Sequence, residues 1–301
     1  MYFGSVRFFK HLILLVIVAV ILTLSLSLVS AHNRYEKLEK DAARYEEALG
    51  AMGYVVPDRE SSAPTVENPS FSYQTMFPEL YVTPPAEYKT VSSNTVYLTF
   101  DGGISGNTSA ILDVLKEKGV KATFFIVGSY TNGCESVVKR IVDEGHTLGM
   151  RSFSNDVERI YASVESYLSD FDRCFNCFVE ITGVKPTVFR FPGGSINSYN
   201  SGIYQQIIAE TTRRGFTFFD WNVLAQDVYS GSETSMKSNV INGCKSMNGG
   251  VVLFHDQLTD ADELGEIIDE LLAKNYTLAP LTQEVEPVIF CYPLPTQSAG
   301  K

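Results

Sequence analysis

From about residue 95 onward, short apolar runs alternate with longer stretches in which apolar residues recur every three or four positions. The short runs are rich in β-branched and aromatic residues and predict strands, whereas the longer spacing predicts amphipathic helices. The predicted strands are 95–100, 122–127, 146–150, 187–190, 216–219, 250–254 and 276–280. The predicted helices are 108–118, 135–144, 162–181, 202–214, 234–247 and 261–273. This alternation predicts an α/β domain built on a parallel sheet or barrel.

A different pattern fills the N-terminus, where residues 12–29 are apolar apart from three hydroxyl side chains and carry no charge. Their number approaches the roughly 20 residues that cross a bilayer and exceeds the usual core of a signal peptide. We therefore predict a membrane-spanning signal anchor over residues 1–31. Because Val29 and Ala31 are small residues spaced like a cleavage site, a secreted product cut after Ala31 is the alternative. In either case we expect an extracytoplasmic domain, bound to the membrane by the anchor or released.

Two segments connect this stretch to the predicted domain. In residues 32–56, apolar side chains recur at alternating three- and four-residue steps and predict a helical stalk, with a weak dimer as the alternative to a monomeric helix. Residues 57–94 hold six of the chain's 12 prolines and predict an extended linker whose aromatic half packs on the domain. The domain is predicted to span 95–285 and to be followed by a C-terminal tail, 286–301.

Composition narrows the classes of function. The formal net charge of −11 argues against a nucleic-acid partner, because phosphate binding relies on clustered Lys and Arg. Five cysteines in an exported protein leave at least one unpaired in the monomer. Cys174 and Cys177 form a CxxC inside a predicted helix among phenylalanines, which favours a packing role over a redox or metal role.

Polar side chains follow several of the predicted strands, and they are the candidates for chemistry. In a parallel β/α architecture the carboxyl ends of all strands open on one face, so residues far apart in sequence converge there. The residues concerned are Asp101, Arg151, Arg190, Asp220 with Asn222, and His255 with Asp256. Several polar residues at strand ends predict a functional site at this face.

Five segments resemble, in order and spacing, the five motifs of the NodB-type polysaccharide deacetylases, the fourth family of carbohydrate esterases. They are TFDGG at 99–103, GHTLGMRSFSN at 145–155, FRFPGG at 189–194, FDWNVLAQD at 219–227 and LFHD at 253–256. The resemblance implies a distorted (β/α) barrel of the NodB type, here with an N-terminal membrane-spanning helix.

Enzymes of that family bind zinc or another divalent metal through an aspartate and two histidines, leaving a position open for the attacking water. The resemblance assigns these ligands to Gly102, Arg151 and Asn155, so all three are replaced in this chain. Of the two histidines in the predicted domain, His255 matches the family's general acid, and His146 is expected in core or turn structure. We therefore predict that the protein has no metal cofactor.

The acid and base of the family are retained in the resemblance. Asp101 matches the general base and Arg190 the arginine that pairs with it. His255 matches the general acid and Asp227 the carboxylate that orients it. Such pairs also make structural sense without catalysis, because a buried carboxylate needs a cationic partner.

Substrate contacts are predicted at Arg151, Pro192, Gly193 and Trp221. A guanidinium group at Arg151 would supply positive charge beside Asp101, where the family has its cation. Arg151 and Arg190 facing one cleft would alternatively hold an anionic group, such as the lactyl carboxylate of muramic acid.

Three hypotheses for function remain open. The leading one is a pseudoenzyme at the cell envelope that binds N-acetylated glycan such as peptidoglycan, or that regulates an active relative. The second is an active deacetylase, a hydrolase that cleaves the amide C–N bond of N-acetylglucosamine or N-acetylmuramic acid. The third is an envelope scaffold whose cleft is vestigial.

Overall fold

The computed structural model describes residues 71–90, 93–225 and 235–290. Its central strand, β1, spans Thr95–Gly102, and only the last residue of the strand is not fully buried. Strands of parallel sheets are covered on both faces, which explains why β1 is buried almost throughout rather than at alternate positions.

Every strand pairing in the described part of the chain is parallel. The other strands are β2 Thr123–Val127, β3 Thr147–Ser152, β4 Val188–Phe189, β5 Thr217–Phe218, β6 Val223–Leu224, β7 Gly250–His255 and β8 Thr277–Leu278. Their order is β5-β4-β3-β2-β1-β7-β6, and β8 pairs with the start of β1. Among the described residues β5 and β6 do not pair with each other, so the predicted barrel is an open, curved half-barrel.

The register of the central strands sets the position of the site. Asp101 is the partner of Phe125 on β2 and of His255 on β7, so these residues lie side by side at the carboxyl edge. Strand β3 begins one residue later than predicted and continues to Ser152. Arg151 therefore lies within a strand rather than after it.

Helices follow most strands, and several begin at side-chain caps. They are α1 Gly106–Glu117, α2 Glu135–Asp143, α3 Val157–Ile160, α4 Val164–Thr182, α5 Tyr204–Arg213, α6 Met236–Met247 and α7 Ala261–Ala273. Ser105, Ser163 and Asp260 each accept a hydrogen bond from a backbone N–H of the first turn that follows. The one-turn helix α3 and the two-residue strand β6 were not predicted, because such short elements have no periodic pattern to detect.

Phenylalanines fill both faces of the sheet. Phe124 packs in the large cluster between sheet and helices, where its ring stacks 5.0 Å from that of Phe100. Phe125 belongs to a smaller cluster with Tyr97 and Phe219 on the other face. Consecutive strand residues point to opposite faces, so Asp101 shares the face of Tyr97.

The segment before β1 packs against the domain through Arg214. This guanidinium group is 3% exposed and donates to the carbonyl oxygens of Met76 at 2.7 Å and of Phe77 at 2.8 Å. It also pairs with Glu210 on α5, at 2.7 Å. Residues 71–82 thereby contribute Tyr73, Leu80 and Val82 to the main core.

A C-terminal segment runs past the gap between β5 and β6. The N–H of Asp220 donates to the carbonyl of Val288, and the N–H of Phe290 donates to Asp220 Oδ2, both at 2.8 Å. The Phe290 ring meets that of Trp221 edge-on, with centroids 5.0 Å apart, and lies directly over Gly194. The segment thus ties the β5–β6 connection to the FRFPGG loop.

No helix in residues 71–90, 93–225 and 235–290 is long and apolar enough to span a membrane. The predicted anchor at 1–31 and the predicted stalk at 32–56 lie outside the described residues, as does Asp227. These assignments and the proposed domain boundaries stay predictions.

Candidate functional site

Asp101 and Arg190 form a buried ion pair at the centre of the carboxyl edge. Arg190 Nη1 donates to Asp101 Oδ1 at 2.7 Å and to Thr99 Oγ1 at 2.8 Å. The Arg190 Cζ atom lies 4.3 Å from the centre of the Phe125 ring. Burial lowers the pKa of Arg190, and the charge of Asp101 opposes this shift. The geometry matches the predicted pairing, while a catalytic role for Asp101 stays a prediction.

The remaining nitrogens of Arg190 are occupied by backbone carbonyls. Nε donates to Phe219 O at 2.9 Å, and Nη2 donates to Asp220 O at 3.0 Å. Arg190 has no exposed surface, each of its three nitrogens donates to an internal acceptor, and it does not line the cavity described below. The idea that Arg190 and Arg151 together hold an anion is therefore wrong, because Arg190 points into the protein.

Arg151 approaches the other carboxylate oxygen of Asp101. Its Nε lies 3.7 Å from Asp101 Oδ2, and its side chain is 17% exposed. Within the described part of the chain, that Nε has no hydrogen-bond partner. Arg151 therefore brings a second positive charge to Asp101 and, unlike Arg190, keeps a face toward solvent.

A cavity of about 160 Å³ opens above this pair. Its wall consists of Asp101, Gly102, Tyr130, Arg151, Asn155, His255, Asp256, Gln257 and Leu258. His255 at the end of β7 thus reaches the same cavity as Asp101. Its carbonyl accepts from the N–H of Leu258 at 3.0 Å and from Thr259 Oγ1 at 2.8 Å. These bonds fix the turn after β7, which contributes Leu258 to the wall.

Asp256 fills the space beside Gly102. Its Oδ2 accepts a hydrogen bond from Thr108 Oγ1 at 2.8 Å, while its Oδ1 has no hydrogen-bond partner among the described residues. Burial raises the pKa of Asp256, and hydrogen bonds from Ser105 and Thr108 oppose that rise. Sequence reasoning placed Asp256 at a strand end but gave it no role. Its only signal in the sequence was its place directly after His255, as the one acidic residue of LFHD.

The three positions that the resemblance assigns to metal ligands do not fit a divalent cation. Gly102 has no side chain, Arg151 carries a positive charge, and the Asn155 amide donates through Nδ2 to the Tyr130 hydroxyl at 3.4 Å. In the described ranges, no group of three His, Cys, Asp or Glu side chains is arranged to hold a metal ion. Asp101, His255 and Asp256 line the cavity, but Asp101 is paired with Arg190, and the three are not grouped like the ligands of a catalytic zinc site.

The other predicted substrate contacts lie beside the cavity rather than in its wall. Pro192 is buried, and its carbonyl accepts from the Tyr161 hydroxyl at 2.9 Å. Gly193 is exposed, with φ +78°. Trp221 lies against Phe290, with its ring 5.5 Å from Arg190 Cζ. Contact of these three residues with a ligand stays a prediction.

Two further residues lie away from the site. His146 precedes β3 at the amino end of the sheet, where its Nδ1 accepts from the N–H of Ala122 at 3.1 Å. Asn222 also lies near the amino ends, because its Oδ1 accepts from the N–H of Val251 at the start of β7, at 2.8 Å. Its expected place at the carboxyl face was wrong, since β6 follows it directly.

Comparison with known proteins identifies the family. Residues 88–211 match the sequence profile described as polysaccharide deacetylase. YheN of Bacillus subtilis, named as a candidate polysaccharide deacetylase, is 30% identical over 227 residues, which cover 74% of this chain and 79% of YheN. The chain belongs to the polysaccharide deacetylase family.

Other members extend this similarity to proteins named for peptidoglycan. The peptidoglycan-N-acetylmuramic acid deacetylase PdaA of Bacillus subtilis is 29% identical over 187 residues, covering 61% of this chain and 68% of PdaA. The solved catalytic domain of a peptidoglycan N-acetylglucosamine deacetylase from Eubacterium rectale is 32% identical, with a TM-score of 0.64. The similarity to that structure covers 69% of this polysaccharide deacetylase-family chain and 97% of that domain.

Proposed function

We propose that this protein binds N-acetylated glycan, such as peptidoglycan, in the cavity at the strand ends and does not hydrolyse it by the metal-dependent route of its family. The observation that carries the proposal is the position of Arg151, whose Nε lies 3.7 Å from Asp101 Oδ2. The guanidinium group there adds a second positive charge beside Asp101, which Arg190 already pairs, and stands at a position that the resemblance assigns to a metal ligand.

The ligand class follows from the relatives and from the cavity. Several relatives are named for deacetylation of N-acetylglucosamine or N-acetylmuramic acid in peptidoglycan. The largely buried Asp101 and Arg151 form the floor of the cavity, and the exposed Tyr130 and Leu258 form its mouth. Charged groups below and apolar side chains above suit an amide on a sugar ring. We extend the proposal to the cell envelope, where a segment at 1–31 would anchor the domain outside the membrane or be cut after Ala31.

The loss of catalysis follows from what arginine cannot do. A guanidinium group donates hydrogen bonds and carries charge, but it does not act as a Lewis acid or lower the pKa of a bound water as zinc does. That assistance amounts to several kcal/mol, and each 1.36 kcal/mol changes a rate about tenfold. The expected rate penalty is therefore many thousandfold.

A second candidate is an active N-deacetylase, and it is favoured by Asp101 and His255 lining the same cavity. In that reaction Asp101 would take a proton from water as the oxygen adds to the amide carbon. His255 would give a proton to the leaving nitrogen as the C–N bond breaks. The products would be acetate and a free amino sugar.

One experiment separates the two candidates. Full-length protein incubated with zinc is analysed for bound metal, and acetate release is measured from peptidoglycan and from N-acetylglucosamine oligomers. We expect glycan binding with no acetate above the level of a heat-inactivated sample, and we expect Arg151→Ala to weaken binding to peptidoglycan fragments. Stoichiometric zinc together with acetate release that Asp101→Asn abolishes would instead establish the deacetylase.

A further inference from the structure

Two apolar side chains stand exposed on the wall of the cavity. Tyr130 is 43% exposed and Leu258 is 51% exposed, and both line the cavity above Asp101 and Arg151. Large apolar side chains that remain exposed around a concave polar site mark a ligand-binding surface. We propose that Tyr130 and Leu258 hold the sugar ring whose acetamido group enters the cavity. The inference rests on the proposed function and names residues to which sequence reasoning gave no role.

The Tyr130 ring is fixed from both ends. Tyr130 belongs to the single helical turn Gly128–Thr131 that follows β2. Its ring lies against Gly103 so closely that a Cβ atom on residue 103 would overlap the ring carbons. Its hydroxyl accepts a hydrogen bond from Asn155 Nδ2 at 3.4 Å. An aromatic side chain oriented in this way loses little conformational entropy when a ligand packs on it.

Leu258 comes from the turn after β7. The N–H of Leu258 donates to the carbonyl of His255 at 3.0 Å, so this backbone is held by the end of a buried strand. Tyr130 and Leu258 therefore reach one cavity from connections that follow two different strands, β2 and β7.

The chemistry of the two side chains fits a pyranose. A sugar ring presents C–H groups on its faces and hydroxyl groups around its rim. An aromatic ring and a leucine can cover C–H surface without hydrogen-bonding demands, while the polar floor is left for the acetamido group. This division predicts that the mouth contributes affinity for the ring and that the floor distinguishes acetylated from free amino sugars.

Matched alanine variants test the inference in the full-length protein. Tyr130→Ala and Leu258→Ala remove the two side chains, and Tyr130→Phe keeps the ring but removes the hydroxyl. The controls are Tyr88→Ala and Leu272→Ala, whose side chains are 42% and 43% exposed and do not line the cavity. Each protein is titrated with the N-acetylglucosamine tetramer and with the corresponding glucosamine tetramer, and its melting temperature is measured.

We expect Tyr130→Ala to weaken binding of the acetylated tetramer by about tenfold or more, as loss of a central aromatic contact does. Leu258→Ala should weaken it severalfold, Tyr130→Phe should stay within about threefold, and both controls should match the unsubstituted protein. If the protein binds tightly and Tyr130→Ala binds as well as Tyr88→Ala, the inference is overturned while the proposed function stands. If the unsubstituted protein binds neither tetramer nor peptidoglycan fragments, the proposed function is wrong and the inference falls with it.

Discussion

The carboxylate of Asp256 occupies the space that a side chain at Gly102 would need. A Cβ atom on Gly102 would lie 2.5 Å from Asp256 Oδ1, and Gly102 has φ +138°, a backbone conformation that residues with side chains rarely adopt. The position that the resemblance assigns to a metal-binding aspartate thus holds a glycine, and a neighbouring carboxylate takes up the space of its side chain.

This contact predicts coupled effects on stability. Gly102→Ala should lower the free energy of unfolding by roughly 3 kcal/mol, from backbone strain and overlap with Asp256. Gly119→Ala, at φ +67° with no atom within 4 Å of the added Cβ, should cost only about 1 kcal/mol. In Gly102→Ala/Asp256→Ala the overlap is removed. The double variant should therefore lose about 1 kcal/mol less free energy of unfolding than the two single variants lose in sum. Urea denaturation of the unsubstituted protein, Gly102→Ala, Asp256→Ala and the double variant measures this coupling. Strictly additive losses of stability would contradict the steric explanation.

The two arginines at Asp101 should differ sharply in their effect on stability. Arg190→Met leaves the Asp101 charge without its close partner and three carbonyl or hydroxyl acceptors without a donor, so it should cost about 3–5 kcal/mol. Arg151→Met removes a longer, partly exposed contact and should cost less than about 1 kcal/mol. Chemical denaturation of both variants provides the comparison. Similar losses for the two would mean that Arg151 is part of the folded framework rather than available to a ligand.

The buried His146 predicts that the stability of the fold depends on pH, although His146 lies away from the candidate site. Burial, with a further contribution from Lys121, lowers the pKa of His146 from 6.5 to about 4. The unfolded state therefore takes up a proton before the folded state does, and stability falls as the pH is lowered from about 6.5 to about 4. At 1.36 kcal/mol per unit of pKa, this loss reaches about 3 kcal/mol.

His146→Asn isolates this contribution, because asparagine keeps an acceptor for the N–H of Ala122 and does not titrate. Stability of the two proteins is measured by denaturation from pH 7 to pH 4. As the pH falls, the free energy of unfolding of the unsubstituted protein should decrease steadily relative to that of His146→Asn. If the free energies of unfolding of the two proteins changed in parallel over that pH range, His146 would not titrate as its surroundings indicate.

Arg214 should control how firmly residues 71–82 are attached. Arg214→Met frees the carbonyls of Met76 and Phe77 and leaves the buried Glu210 with fewer partners, so we expect a loss of about 3 kcal/mol or more. Hydrogen exchange in 71–82 should accelerate more than exchange in β1. Lys118→Met, which removes an exposed pair with Asp269, should change neither quantity appreciably. Uniform acceleration over the whole domain would argue against a local role for Arg214.

The sequence predicted most of the architecture because strong periodic patterns mark the long elements. The helix predicted at 261–273 has those bounds in the structure, and it begins after the Asp260 cap. The open form of the sheet was not predictable, since it depends on whether the two-residue strands β5 and β6 meet. Their pairing is decided by tertiary contacts such as that between Asp220 and Val288, which leave no local pattern.

The candidate site, too, was predictable only in part. Placement of Asp101, Arg190 and His255 at one edge followed from the rule that parallel strands end on one face. The contribution of Tyr130 had no signal, because it depends on a ring from the β2 connection reaching over Gly103. Sequence spacing also could not reveal that Arg190 is buried and donates to the backbone carbonyls of Phe219 and Asp220, because these contacts depend on how the strands are arranged in the sheet.

The buried pairing of Asp101 with Arg190 has a consequence for comparing relatives. Since removal of either residue would leave an uncompensated charge in the core, selection for folding alone is sufficient to preserve both. Their presence in another chain of this family therefore carries little information about turnover. Positions equivalent to 102, 151 and 155, which the resemblance assigns to metal ligands, are under no such folding constraint from this pair. On the proposed function, they are the positions at which members that hydrolyse the glycan should differ from this chain.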